Sequence, residues 1–75
     1  MKPPITGAQL RAARAMLNWS VRNLSTRCGV SQSAIARAEK VDGTLSMQSR
    51  NIDAITSTLE QCGIVFLEGN GLRLS

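Results

Sequence analysis

Residues 20–40, SVRNLSTRCGVSQSAIARAEK, predict two short helices joined by a tight turn. Each helix is preceded by the same pattern: an apolar residue, a serine and, four positions after the serine, a second apolar residue. The two sets are Trp19, Ser20 and Leu24, and Val30, Ser31 and Ile35. This pattern is typical of a helix N-terminus, where the serine oxygen accepts a backbone N–H and the apolar pair packs together. Because Gly29 can supply the positive φ that ends a helix, the segment is predicted to form a helix-turn-helix.

Further helices are predicted on both sides of this segment. Thr6 and Gln9 have the spacing of a capping box and mark the start of the first helix, whereas Gly63 is the expected C-terminal cap of the last one. The four predicted helices cover residues 7–18, 21–28, 32–40 and 46–62. Residues 1–4 are expected to be extended, because proline disfavours helix in the residue before it. They form either a frayed end or a basic arm in which Lys2 touches phosphate.

The last twelve residues have the pattern of a β-hairpin. Residues 64–67 are a β-prone apolar run, residues 69–71 read Gly-Asn-Gly, and residues 72–74 alternate. The fold class is therefore predicted to be mainly α, with a helical domain over residues 1–63 and a β extension over residues 64–75. An isolated hairpin is marginal in water, so this one should pack on the helices or pair with a second copy. The apolar residues expected to form a dimer contact are Val65, Phe66 and Leu67.

The charge is distributed asymmetrically along the chain. Residues 1–38 carry six basic and no acidic residues, whereas residues 39–75 carry three basic and five acidic residues, for a net charge of +4. The basic half contains the predicted helix-turn-helix. Such asymmetry is typical of proteins with a polyanionic partner, although a basic surface can also be merely solvated.

The outward face of the third helix contains candidate base-reading residues. At ~100° per residue, the inward face of this helix holds Ile35 and Ala38, and Gln32 lies beside that face at the helix start. The residues opposite it are Ser33, Ala36, Arg37 and Lys40. Glutamine and arginine carry paired polar groups that match the edges of adenine and guanine, and serine can contact any base. Gln32, Ser33 and Arg37 are therefore candidate base contacts in double-stranded DNA. The alternative is a polar helix face that is only solvated.

A second set of residues suits contact with phosphate. Helix N-termini present free N–H groups and a positive dipole end to anions, so the start of the second helix can seat on a DNA backbone. The candidate phosphate contacts are Ser20, Arg22, Arg27 and Lys40. For each basic residue taken alone, a solvated side chain is an equally good interpretation.

Two charged residues are predicted to point inward. Arg14 falls beside Leu10 and Leu17 on the first helix, and Glu39 falls beside Ile35 on the third. Charges are seldom buried unless they are paired. We therefore expect an Arg14–Glu39 ion pair that joins the two helices, with independently solvated side chains as the alternative.

Several function classes have no support in the sequence. The chain has no His and no CxxC spacing, so neither a metal site nor a cofactor is expected, and Cys28 and Cys62 are interpreted as small buried residues in a reducing compartment, with a disulfide as the alternative. No nucleophile elbow or close carboxylate pair is present, so the chain is not expected to be an enzyme. The start of the chain has no apolar segment typical of secretion or membrane insertion, which favours a cytoplasmic protein.

Over about residues 5–62 the chain resembles the Cro/CI-type (XRE) helix-turn-helix family of bacterial and phage repressors. The resemblance is carried by QLRAAR, by WSVRNLSTRCGVSQSAIARAEK and by the spacing of Val30, Ser31, Ile35 and Glu39, while GIVFLEGNGLRL resembles the β extension of small members. The resemblance implies a helical domain of four or five helices that binds operators as a dimer. It also implies base contacts at the positions of Gln32, Ser33 and Arg37 and a salt bridge between Arg14 and Glu39.

The function expected from these observations is sequence-specific DNA binding in transcription regulation. The regulator would be a cytoplasmic homodimer that represses a promoter by occupying a palindromic operator. One alternative is a protein-binding antitoxin or anti-activator on the same scaffold. A second alternative is non-specific nucleic-acid binding by a single copy.

Overall fold

A computed structural model describes residues 5–75 as four helices followed by an antiparallel hairpin. The elements are α1 (Gly7–Met16), α2 (Val21–Cys28), α3 (Gln32–Glu39), α4 (Ser49–Gln61), β1 (Ile64–Phe66) and β2 (Leu72–Leu74). The prediction of a mainly helical chain with a C-terminal hairpin is confirmed. The extended start expected for residues 1–4, with Lys2, lies outside the described residues.

Three of the helices begin at the residues where the sequence places a cap. The Thr6 hydroxyl accepts from the Gln9 N–H, and the Gln9 side chain accepts from the Thr6 N–H, which completes a capping box at α1. The Ser20 and Ser31 hydroxyls accept the corresponding bonds at α2 and α3. Gly29 ends α2 with a φ of 78°, in the left-handed region that favours glycine. Local capping chemistry therefore sets the bounds of the α2–turn–α3 segment.

Four helix ends differ from the prediction. α1 ends at Met16 because the chain turns at Asn18, whose φ is +58°. α3 ends at Glu39, with Lys40 as its cap. α4 begins at Ser49 and not near Ser46, since the preceding chain is tied to the start of α1 through the bond from the Leu45 N–H to the Ile5 carbonyl (3.3 Å). α4 ends at Gln61 and its C-terminal cap is Cys62, not the expected Gly63.

The expectation that both cysteines are buried is wrong for one of them. Cys28, in the last turn of α2, is half-buried and packs against the core. Cys62 is exposed because it caps α4 where the chain turns at Gly63 into β1, past the end of the packed helix face. Both thiols are free, so the alternative of a disulfide is not supported.

The core is aliphatic and receives side chains from all four helices and from the hairpin. Its members include Leu10, Leu24, Ile35, Ile55, Leu59 and Ile64, all nearly inaccessible to solvent. In the hairpin, Phe66 pairs with Leu72 and Val65 pairs with Arg73. Because side chains alternate between faces along a strand, Phe66 and Val65 lie on opposite faces. β1 packs on α4 and β2 on α1, so the hairpin covers one end of the helical core.

The N-terminus of α1 is the point where three distant segments meet. Gly7 donates its N–H to the Gly43 carbonyl (3.0 Å), and a Cβ at Gly7 would lie 1.8 Å from the Val41 carbonyl oxygen. Gln9, which is 1% exposed, donates from Nε2 to the carbonyls of Leu67 (2.8 Å) and Gly71 (2.7 Å). The start of α1 thus holds both the loop that follows α3 and the turn of the hairpin.

Candidate nucleic-acid interface

The outward face of α3 consists of exposed side chains that have no partner within residues 5–75. We define the α3 outer face as Gln32, Ser33, Ala36, Arg37 and Lys40, all of them exposed. The opposite side of the helix is buried through Ile35, Ala38 and Glu39. Among the residues that the structure describes, none makes a hydrogen bond or ion pair with the side chain of Gln32, Ser33 or Arg37. These donors and acceptors are therefore available to a ligand.

The orientation of α3 relative to α1 is fixed by a bidentate ion pair. Arg14 donates from Nε to Glu39 Oε2 and from Nη2 to Glu39 Oε1, both at 2.8 Å, and from Nη1 to the Trp19 carbonyl at 2.8 Å. The Glu39 side chain is 8% exposed and that of Arg14 24%. A fork-to-fork pair of this kind constrains direction as well as distance. The predicted Arg14–Glu39 pair is thus present and joins the two helices.

The ion pair also affects the titration of Arg14. Its hydrogen bonds and charge interaction with Glu39 raise the pKa of Arg14 above the ordinary arginine value, against the opposing effect of burial. A basic group whose pKa is raised on folding stabilises the fold at every pH below its unfolded pKa. The stabilisation is lost only as the pH rises through the higher folded value, so Arg14 stays charged and paired across the neutral range.

Sequence reasoning missed a second arginine that holds the end of α3. Arg11 lies one turn before Arg14 on α1 and donates to the Glu39 backbone carbonyl and to the Asp42 carboxylate. A cation at the C-terminal end of a helix also interacts favourably with the helix dipole. The available signal was the spacing of the two arginines, three positions apart on one helix and so on neighbouring faces. Arg11 therefore stabilises the fold by joining α1 to the end of α3 and to the loop that follows it.

The candidate phosphate contacts differ in whether their side chains already have a partner within residues 5–75. The Ser20 hydroxyl accepts from the Asn23 N–H (3.0 Å) and donates to the Asn23 side chain (2.9 Å), so it is already occupied by capping. The Arg27 guanidinium lies over the Trp19 ring, 4.4 Å from its centroid. Arg22 and Lys40 are exposed, and no side-chain partner for either lies within residues 5–75. Lys40 lies at the C-terminal end of the α3 outer face, and Arg22 lies in the first turn of α2.

An open groove runs along one side of α3. It has a volume of about 360 Å³ and lies between α3 and the following loop. Its lining residues are Ala34, Arg37, Ala38, Val41, Ser46 and Met47. Because Arg37 borders this groove, its side chain has free space on that side as well as toward solvent.

The three candidate dimer residues are divided between the two faces of the hairpin and its turn. Phe66 is half-buried and packs against the core. Val65 lies on the opposite face beside Arg73 and is also half-buried, whereas Leu67 is 48% exposed. Within a single copy, Val65 and Leu67 are thus the members of the set that can reach a second molecule.

Residues 5–75 contain neither a metal-binding cluster nor a membrane-spanning helix. No cluster of three or more His, Cys, Asp or Glu residues that could hold a metal ion occurs there. No helix in that part of the chain is both long and apolar enough to cross a membrane.

Comparison with known proteins found no matching family model, no matching curated protein and no matching solved structure.

Proposed function

We propose that this protein is a sequence-specific DNA-binding regulator that reads the major groove with the α3 outer face. The supporting observation is that this face presents Gln32, Ser33 and Arg37 to solvent with no partner in residues 5–75, while Arg14 and Glu39 fix the helix that carries them. In this proposal α2 and α3 form a helix-turn-helix in a four-helix domain of the Cro/CI type. A single α-helix fits the major groove of B-DNA.

Each of the three proposed base contacts, Gln32, Ser33 and Arg37, has a defined role. Arg37 donates its guanidinium fork to O6 and N7 of guanine, and Gln32 donates to N7 and accepts from N6 of adenine. Ser33, on the turn of α3 between them, donates to or accepts from a neighbouring base. Each bidentate contact contributes about 1–3 kcal/mol of discrimination against the wrong base pair.

Contacts with phosphate orient the domain on the duplex. Arg22 and Lys40 supply exposed charges, and the first turn of α2 supplies the N–H groups of Val21 and Arg22. Arg27 contacts phosphate from its position over the Trp19 ring, which limits the conformational freedom of the arginine side chain. Ser20 acts by holding the start of α2, since Asn23 already uses its hydroxyl.

A homodimer is proposed because one copy is too small to cover two half-sites. The longest dimension of the described chain is 26 Å, whereas successive major grooves on one face of DNA are about 34 Å apart. Val65 and the exposed Leu67 supply an apolar contact at the hairpin, whose strand edges are also open to pairing. The dimer would bind a palindromic operator in the cytoplasm and repress by blocking the promoter, with no catalytic step and no cofactor.

Selection of bound DNA from a random double-stranded pool tests the proposed function. The expected result is an enriched palindrome whose half-sites lie one helical turn apart and whose preference weakens when Gln32→Ala or Arg37→Ala protein is used. Recovery of no enriched sequence would contradict it. Capture of a specific protein that depends on the same residues would favour the alternative of an antitoxin or anti-activator, and binding that depends steeply on salt but not on sequence would favour non-specific binding.

A further inference from the structure

The α3 outer face contains one apolar side chain, that of Ala36. It lies one helical turn after Gln32 and one turn before Lys40, with Ser33 beside it. Gln32, Arg37 and Lys40 have long side chains, so Ala36 forms a short apolar notch among taller polar groups. A base edge can come close to the helix backbone at such a notch.

The major groove presents one apolar group, the C5-methyl of thymine, which alanine can contact directly. We propose that Ala36 specifies thymine by contact between its side-chain methyl and that C5-methyl. The inference rests on the proposed function, because it requires α3 to lie in the major groove.

The position of this thymine relative to the other contacts follows from the helix geometry. One turn of α-helix advances about 5.4 Å, and one base pair of DNA advances about 3.4 Å along each strand. Ala36 therefore contacts a thymine one or two base pairs from the adenine that Gln32 reads. Cytosine at this position would lack the contact too, because it has no C5-methyl.

Deoxyuridine scanning of the selected site tests this contact, because deoxyuridine keeps every hydrogen-bonding group of thymine and lacks only the methyl. Each thymine of the half-site is replaced singly, and the Kd is measured for the wild type and for Ala36→Gly. Burial of one methyl-sized group corresponds to about fourfold in affinity. We expect one position at which deoxyuridine weakens wild-type binding about fourfold and leaves Ala36→Gly binding unchanged.

Two further variants keep the test decisive. Ala36→Gln replaces Ala36→Gly if the glycine variant loses helix by circular dichroism. Glycine in a helix interior is destabilising, whereas glutamine favours helix and its longer polar side chain fills the notch and holds the base edge away. Lys40→Ala is the control and is expected to weaken binding equally to thymine and deoxyuridine sites. A methyl effect that is absent, or that is the same in wild type and Ala36 variants, overturns this inference alone. Failure to enrich any DNA sequence overturns the proposed function and this inference with it.

Discussion

Arg14 and Glu39 lie on different helices, and two parallel hydrogen bonds of 2.8 Å join their side chains. Arg14 uses its remaining Nη1 donor on the Trp19 carbonyl, just before α2 begins. One side chain on α1 therefore holds both the end of α3 and the approach to α2. The position of the α3 outer face depends on this contact.

Removal of the carboxylate should destabilise the fold. Glu39→Ala leaves the half-buried Arg14 side chain with only the Trp19 carbonyl as a partner, and loss of one member of a buried pair costs about 3 kcal/mol in free energy of unfolding. A domain of this size has only a few kcal/mol to lose, so the variant should unfold at much lower urea concentration. Glu68→Ala removes an exposed carboxylate and is the matched control. Equal urea midpoints for both variants would show that the pair does not join the helices.

Gly7 is predicted to tolerate no side chain. A Cβ there would lie 1.8 Å from the Val41 carbonyl oxygen and 2.5 Å from that of Ala38, so the start of α1 would have to move away from the end of α3. Overpacking of a close contact typically costs ~1–3 kcal/mol. Gly7→Ala is expected to lower the free energy of unfolding by about 2 kcal/mol or more, in the upper part of that range.

Gly43→Ala is the control for this substitution, because a Cβ at Gly43 meets no atom within 4 Å. Thermal unfolding followed by circular dichroism should show a large loss for Gly7→Ala and a small change for Gly43→Ala. Comparable melting temperatures would mean that α1 and the loop after α3 are not in close backbone contact.

Gln9 is predicted to hold the hairpin through its two side-chain donors. Gln9→Glu keeps the shape and the acceptor that caps α1, yet it places carboxylate oxygens against the carbonyls of Leu67 and Gly71. The loss of two buried hydrogen bonds should cost about 1–3 kcal/mol and raise hydrogen exchange in residues 64–74. Gln48→Glu makes the same chemical change at an exposed position just before α4, where the helix dipole favours a carboxylate, and should leave exchange in residues 64–74 unaltered. Unchanged protection in Gln9→Glu would exclude this role.

Sequence predicted the features that depend on local chemistry. The caps at Thr6, Ser20 and Ser31 are decided by residues three positions away, and each was found as expected. The Arg14–Glu39 pair was also predictable, because helical projection places two charges on buried faces.

Features that depend on distant backbone could not be predicted in this way. Arg11 and Gln9 donate to carbonyl oxygens of segments far along the chain, and a carbonyl is present at every residue, so no side-chain pattern marks the partner. The start of α4 was misplaced for the same reason, since the strand-like pairing of Thr6 with Thr44 keeps the preceding loop extended.

Point substitutions on the outer side of the hairpin test the proposed dimer contact. Truncation of the hairpin would remove Ile64, which is 1% exposed in the core, so point substitutions are preferable. Val65→Thr combined with Leu67→Ser is expected to shift sedimentation toward the monomer and weaken operator binding, while the fold is retained. Met16→Ser removes another exposed apolar side chain, on α1, and serves as control. Dissociation by the Met16 variant alone would place the dimer contact elsewhere.

The most direct test of base reading by α3 compares two arginines whose removal changes the net charge equally. Arg37→Ala and Arg22→Ala are each titrated with the selected site and with its single-base-pair variants, over a range of salt concentration. If α3 reads bases, Arg37→Ala should lose discrimination at one base pair by about 1–3 kcal/mol, whereas Arg22→Ala should weaken binding to every sequence alike and reduce the salt slope by about one. Equal loss across all sequences for both variants would contradict base reading by α3.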